Sequence, residues 1–392
     1  MSFTGTELAA LLQTTPAAGD SSHIGNLYPF VQKQADRSPL ELSFLQPRFK
    51  DLQAWQKVAR ARVFDRLCYS PSPVAPAPTV IRRTDRGDYI EEYLTFQTTP
   101  DLRVPAFVLI PKNAALPAPG LVVLHCHGGA YVWGKEKVVA VENEHPALSE
   151  FKKGLYEGTS IANELVRRGY VVISIDMFYW GERRMLLDDD PLSYREPQRM
   201  TPEDVQAFNR RSSQNEQLVA RSLMTAGITW PGVVLWDDLR TVDYLAGRPE
   251  VDRRRLGCVG LSVGGYRSFL LAALDSRIKA AVDVGWMTSY ASNIRRHVLN
   301  TVGFTFHIPG LYRYLDLPDL AALIAPRSVF VINGSKDALF PPDGVEKAHK
   351  KIEACFRKAG VAERQRCRVY DAPHQFNRAM QAEAWEWLST RI

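Results

Sequence analysis

Apolar residues between positions 49 and 67 recur at Phe49, Leu52, Trp55, Val58, Val63, Phe64 and Leu67. That three-to-four spacing predicts an amphipathic helix packed against another layer. Four prolines in the next stretch (Pro71, Pro73, Pro76 and Pro78) forbid helix and favour an extended linker. The reading is an N-terminal helical segment and linker over 1–75 and a second unit over 76–392. Beyond the linker the period shifts. Segments 89–96 and 104–110 look like an antiparallel opening pair. The run 121–126 (LVVLHC) is apolar enough for a parallel strand buried on both faces. Strand-like runs at 170–175, 256–261, 278–284, 328–333 and 367–370 then alternate with helical patterns at 160–168, 236–245, 264–274, 345–359 and 379–392. This predicts an α/β fold, a mostly parallel twisted sheet with helices on both faces. Two stretches, 180–234 and 286–326, break the rhythm as lid-like insertions.

The string Gly260-Leu261-Ser262-Val263-Gly264-Gly265 has a strand before it and a helix after it. GxSxG in that setting is a nucleophile elbow, a strained turn that lifts the Ser262 hydroxyl above the sheet. A serine hydroxyl needs a base to take its proton. In this fold the acid and then the histidine follow the serine along the chain. Asp337 follows the strand 328–333, His374 follows the last strand, and both fall at the strand ends that carry Ser262. They are the predicted orienting acid and general base, with Asp371 and Asp283 as fallback acids. The oxyanion needs backbone donors. Val263 N–H is one candidate, and Gly129 is the first choice within His127-Gly128-Gly129-Ala130, with Gly128 or Ala130 next.

His125 and His127 are spaced so that a strand would point both rings one way, but no further ligand cluster joins them, so no metal is expected. Trp180-Gly181-Glu182-Arg183 reads either as pocket lining or as an ion-paired corner. The aromatic set Trp286, Tyr290, Phe304, Phe306, Tyr312 and Tyr314 reads either as a lid over an acyl pocket or as packing of its own insertion. His127, Gly128, Trp180 and Trp286 are the candidate substrate contacts.

The net charge of +6 is spread along the chain without a basic arm, which argues against a nucleic-acid partner. Five cysteines without CxxC spacing suit a reducing compartment. The apolar run 8–12 is too short for a signal-peptide core and nothing later could span a bilayer, so a cytoplasmic location is the expectation.

Several of these stretches resemble the α/β-hydrolase superfamily across roughly residues 80–392. Within it they are similar to the dienelactone-hydrolase-like and acetyl-xylan-esterase-like bacterial serine esterases. They are His125 to Gly129 with Gly134-Lys135-Glu136, Trp180 to Arg183, Gly260 to Gly265, Asn333 to Pro342, and Pro373-His374-Gln375-Phe376. The resemblance implies an acyl-enzyme route, no cofactor, and a small-molecule ester with a small acyl group. Dienelactone hydrolases proper carry cysteine where this chain has Ser262. Two alternatives stay open, a serine peptidase or amidase of the same fold and a non-catalytic binding member. The peptidases usually carry an N-terminal propeller, for which some 75 residues are too few. Whether the N-terminal segment covers the site or makes a homo-oligomer also stays open.

Overall fold

The computed structural model describes residues 21–392 apart from 302; the apolar run 8–12 lies outside them. Nine strands form one sheet in the order β1-β2-β3-β5-β4-β6-β7-β8-β9. They are β1 (Thr79–Asp85), β2 (Tyr89–Gln97), β3 (Arg103–Pro111), β4 (Ala118–Leu124), β5 (Val171–Ile175), β6 (Val251–Leu261), β7 (Ile278–Val284), β8 (Ser328–Gly334) and β9 (Gln365–Tyr370). The opening strands run antiparallel through the β3–β5 pairing. From β5 through β4 to β9 every pairing is parallel. The chain segments that follow β4 to β9 therefore all emerge at one edge of the sheet.

Strand β1 escaped the periodicity because it is an edge. Its residues are almost all exposed, and it pairs by charge across the ladder, Arg82 with Glu91 and Arg83 with Glu92. A charged edge of this kind blocks further strand addition and leaves no apolar alternation to read.

Helices α1 (Tyr28–Asp36) and α2 (Leu52–Leu67) precede the sheet. Then come α3 (Pro146–Tyr156), α4 (Ile161–Arg167), α5 (Pro202–Thr225), α6 (Trp230–Ala246), α7 (Val263–Leu274), α8 (Pro342–Lys358) and α9 (Arg378–Ser389). Successive residues of the central strands enter different cores. Val122 belongs to the core that holds Trp55, Leu235 and Phe269, whereas Val123 belongs to the one that holds Leu165, Phe330 and Trp385. That is the two-sided burial expected of parallel strands under helices.

Helix α2 buries Trp55, Ala59, Val63 and Leu67, each four residues after the last, in the first of these cores. Val58 and Phe64 face outward. Gln56 Nε2 donates to Ala322 O at 2.8 Å and to Ala325 O at 2.6 Å, tying the helix to the return of the second insertion. The proline-rich stretch is thus a connector within one core. The first insertion holds the long helix α5, opened by a capping box between Thr201 and Asp204.

Candidate active site

Ser262 sits between β6 and α7 with φ +60° and ψ −127°, a strained conformation for a residue bearing a Cβ. The strain is held by its surroundings. Ser262 N–H donates to Val284 O at 2.6 Å. A Cβ on Gly264 would lie 2.0 Å from Leu124 O, so only glycine lets the helix start this close to β4. As the first residue of α7, Val263 has no helical carbonyl for its N–H to reach, and that N–H donates to no group among the described residues.

The loops after β8 and β9 bring Asp337 and His374 together. Ser335 N–H donates to Tyr370 O (2.8 Å) and Lys336 N–H to Ala372 O (3.0 Å), so the two loops are zipped side by side. His374 Nδ1 lies 2.6 Å from Asp337 Oδ2, and Asp337 Oδ1 accepts from Leu339 N–H at 2.9 Å. An ionised carboxylate can only accept, so Nδ1 carries the proton and Nε2 is the lone-pair nitrogen. The floor under this ring is Gly285, where a Cβ would lie 3.2 Å from His374 Cε1. Gly285 directly follows Val284, the residue whose carbonyl holds Ser262 N–H. Ser262 and His374 therefore rest on adjacent residues, Val284 at the end of β7 and Gly285 just after it. No hydrogen bond joins Ser262 Oγ to Nε2 among the described residues; such bonds commonly close only in the substrate complex.

The fallback acids stand elsewhere. Asp371 is exposed and accepts from Lys336 Nζ at 2.9 Å and Ser335 Oγ at 3.2 Å. Asp283 is fully buried against Gly265, neither of its oxygens has a hydrogen-bond partner among the described residues, and burial pushes its carboxyl up to about 8.

The loop after β4 is organised by His127. Its Nδ1 accepts from Gly129 N–H (3.0 Å), and its Nε2 lies 2.8 Å from Glu216 Oε1 on α5. Tyr131 OH donates to the same oxygen at 2.8 Å, and Tyr131 N–H donates to Asn209 Oδ1 at 2.8 Å. The expected oxyanion donor Gly129 thus has its N–H committed to the imidazole. Glu216 and Asn209 carry no motif, and only the docking of α5 brings them here. His125 shares no ligand position with His127. Its Nε2 accepts from Met177 N–H at 3.0 Å and its Nδ1 donates to Cys126 O at 2.9 Å, a neutral ring that burial drives well below its ordinary pKa.

Trp180 is completely buried. Its ring lies 4.9 Å from that of His127 and is stacked on Tyr131, so it meets the site only through those rings. Trp286 packs edge-on against Phe306 at 4.6 Å and Phe340 at 5.5 Å, with Tyr266 at 5.5 Å, forming an apolar wall directly after Gly285. The other aromatics of that insertion divide. Phe304 is exposed, whereas the carbonyls of Tyr312 and Tyr314 accept from Ser38 Oγ and Leu42 N–H of the N-terminal segment.

The segments around Lys135 and Glu182 meet in one ion cluster. Lys135 Nζ, fully buried, donates to Asp176 Oδ2 (2.8 Å), Glu136 Oε1 (2.8 Å) and Glu182 Oε1 (2.5 Å). Burial opposes its charge, and the three carboxylates more than offset this and raise its pKa well above the usual lysine range. A Cβ on Gly134 or Gly181 would strike Asp176, which explains both glycines. The three carboxylates could hold a cation by spacing, but the ammonium occupies their centre. A cavity of about 370 Å³ opens beside this cluster, lined by Tyr93, Trp133, His145 and Arg184 among others, and no member of the Ser262, Asp337 and His374 set lines it.

A parallel sheet with helices on both faces, a strained serine between strand and helix, and acid and histidine loops at the same edge define the α/β-hydrolase fold. The chain belongs to the Abhydrolase family, whose model matches residues 31–381 and so includes helix α2. It is 27% identical over 283 residues to a Bacillus subtilis protein named "putative hydrolase YtaP", covering 72% of this chain and 82% of that one. Among solved structures it is similar to a "putative acetyl xylan esterase" of Bacteroides fragilis, with a TM-score of 0.67 at 19% identity. That match covers 92% of this chain and 86% of the other. It is also similar to a glucuronoyl esterase of Solibacter usitatus, with a TM-score of 0.57 at 17% identity over 89% and 96%. Identities this low establish a shared fold.

Proposed function

We propose that the protein is a serine carboxylesterase that hydrolyses small-acyl esters through an acyl-enzyme on Ser262. The observation that carries this reading is the His374–Asp337 pair, which leaves Nε2 as the ring's lone-pair nitrogen, on a ring packed against Gly285, the residue after the Val284 carbonyl that holds Ser262 N–H. In the first half-reaction Ser262 Oγ bonds to the ester carbonyl carbon and its proton passes to His374 Nε2. The imidazolium is stabilised by Asp337 and gives that proton to the departing alcohol. Water then adds to the acyl carbon, giving a proton to Nε2, and that proton returns to Ser262 Oγ as the acid leaves. No step calls for a cofactor. The wall of Trp286, Phe306 and Phe340 supports a short acyl chain, as does the name of the similar acetyl xylan esterase.

The test is hydrolysis of p-nitrophenyl acetate, butyrate and octanoate beside an aminoacyl-anilide. The expected result is activity highest on acetate and lowered by about 10⁴-fold or more in Ser262→Ala, with folding intact. Preference for the anilide would replace the ester reading with an amidase. Preference for octanoate would overturn the small acyl group, and full activity in Ser262→Ala would overturn the site.

A further inference from the structure

Lys137 is a fully buried lysine outside the ion cluster, and no carboxylate among the described residues pairs with it. Its Nζ donates to two backbone carbonyls, Cys126 O at 3.0 Å and His127 O at 2.8 Å, and lies 5.4 Å from the centre of the Phe151 ring. Burying an ammonium against neutral partners is costly, and its burial lowers the pKa to about 8. A side chain kept at that cost needs a purpose, and the carbonyls it grips indicate one.

The His127 carbonyl belongs to the same peptide unit as the Gly128 N–H, and a trans peptide points the two in opposite directions. Lys137 grips the carbonyl from within the core, so the N–H is aimed outward, and Gly128 is exposed. The same carbonyl also accepts Ala130 N–H at 3.4 Å. Loading an amide's oxygen with donors polarises its N–H, more so from a cation in a dry interior. Within the loop Gly129 N–H is taken by His127 Nδ1 and Ala130 N–H by His127 O, whereas Gly128 N–H donates to nothing among the described residues. Gly128 has φ +59°, and a Cβ there would lie 2.5 Å from the Phe151 ring, so the same ring packs against both the glycine and the lysine. The strand end that feeds this loop meets the elbow, since a Cβ on Gly264 would lie 2.0 Å from Leu124 O and 3.1 Å from His125 O.

We propose that the Gly128 N–H, not that of Gly129, is the second oxyanion donor, and that Lys137 is the positioning residue that aims and polarises it. This rests on the serine-esterase reading above. The charged and titratable groups around Lys137 are Cys126, His125, Glu136, Asp176 and Arg267. None of them gives it a hydrogen-bonded counter-ion.

The experiment compares wild type, Ser262→Ala, Lys137→Met and Lys137→Gln on p-nitrophenyl acetate, and measures inhibition by ethylboronic acid, whose tetrahedral serine adduct mimics the oxyanion. Losing one oxyanion donor costs about 10²–10³ in kcat. Lys137→Met is expected to lose that much in kcat and in boronate affinity together, with KM little changed, and Lys137→Gln, which keeps a neutral donor, to fall between. A merely structural lysine would lower the melting temperature without this split. In wild type labelled with ¹⁵N-glycine, the boronate should move the Gly128 amide downfield and leave that of Gly129 in place, a readout that needs no variant to fold. A folded Lys137→Met enzyme with wild-type kcat and boronate affinity, or a shift at Gly129 in place of Gly128, overturns the proposal. Absence of Ser262-dependent esterase activity in wild type would instead overturn the underlying reading.

Discussion

Glu216 Oε1 lies 2.8 Å from His127 Nε2, so a carboxylate from the first insertion fixes the ring that holds the loop after β4. With Nδ1 accepting Gly129 N–H, Nε2 carries the ring proton and donates it to Glu216. Glu216→Ala removes the acceptor of this bond and of the Tyr131 OH bond. Two bonds to a charged group of this kind are worth about 1.5–3 kcal/mol each, partly recovered by water at this half-buried position. The expected outcome is a loss of about 10–100-fold in kcat/KM, since a loop displaced by about 1 Å costs that order. Steady-state kinetics beside urea unfolding checks it, and unchanged kcat/KM would mean that the loop holds its shape without α5.

The acid role separates Asp337 from Asp371. Asp337→Asn keeps the volume but presents an amide to His374 Nδ1, favouring the wrong tautomer. The expected loss in kcat is about 10⁴-fold. Asp371 faces Lys336 at the surface, and Asp371→Asn should leave kcat within about twofold. Measuring both variants on one acetate ester decides the matter, and a reversed order would move the acid to Asp371.

The fold was legible where strands are buried on both faces. The runs leading to Ser262 and Asp337 are apolar because they lie under helices, whereas β9, which leads to His374, is a half-exposed edge strand carrying Arg366 and Arg368. The parallel pairings of β6 to β9 bring the ends of all three strands to one edge. Strand β1 was not legible, because its residues answer to solvent and to Glu91 and Glu92 across the ladder. The linker suggested a boundary that packing does not respect, since prolines record local backbone limits and not which core a helix enters. Glu216 and Lys137 were invisible for a different reason. Each acts by reaching a partner at a distance that only the tertiary fold sets, 89 residues away for Glu216 and His127. The choice between Gly129 and Gly128 as donor also turns on a contact that spacing does not show, the Gly129 N–H being taken by a ring two residues back.

Lys135 supplies the positive charge bonded by all three carboxylates Glu136, Asp176 and Glu182, so removing it leaves them repelling one another around the buried Asp176. Breaking a buried ion pair from one side costs about 3–5 kcal/mol. Lys135→Met should lose at least that much stability, whereas Glu136→Gln, which leaves Asp176 and Glu182 to balance the ammonium, should lose less. Urea midpoints for the two variants test the ranking. Equal midpoints would show that Lys135 is held chiefly by the packing of its stem.

Asp283 gives a pH signature distinct from catalysis. Its carboxyl lies buried with neither oxygen hydrogen-bonded among the described residues, and burial raises its pKa to about 8 in the folded protein. In the unfolded chain an aspartate titrates near 3.9. Between about pH 4 and pH 8 the folded state therefore holds a proton that the unfolded state has released. Stability falls where the native state binds more protons, so this group's contribution is complete below about pH 4 and is lost as pH rises toward 8. The slope it adds is at most about 1.4 kcal/mol per pH unit. Asp283→Asn keeps a neutral group of the same shape against Gly265 and has no proton to lose. Urea unfolding at pH 5, 6.5 and 8 should show wild type weakening relative to the variant as pH rises. Parallel lines for the two proteins would mean that Asp283 acquires a partner or a water in solution and titrates normally.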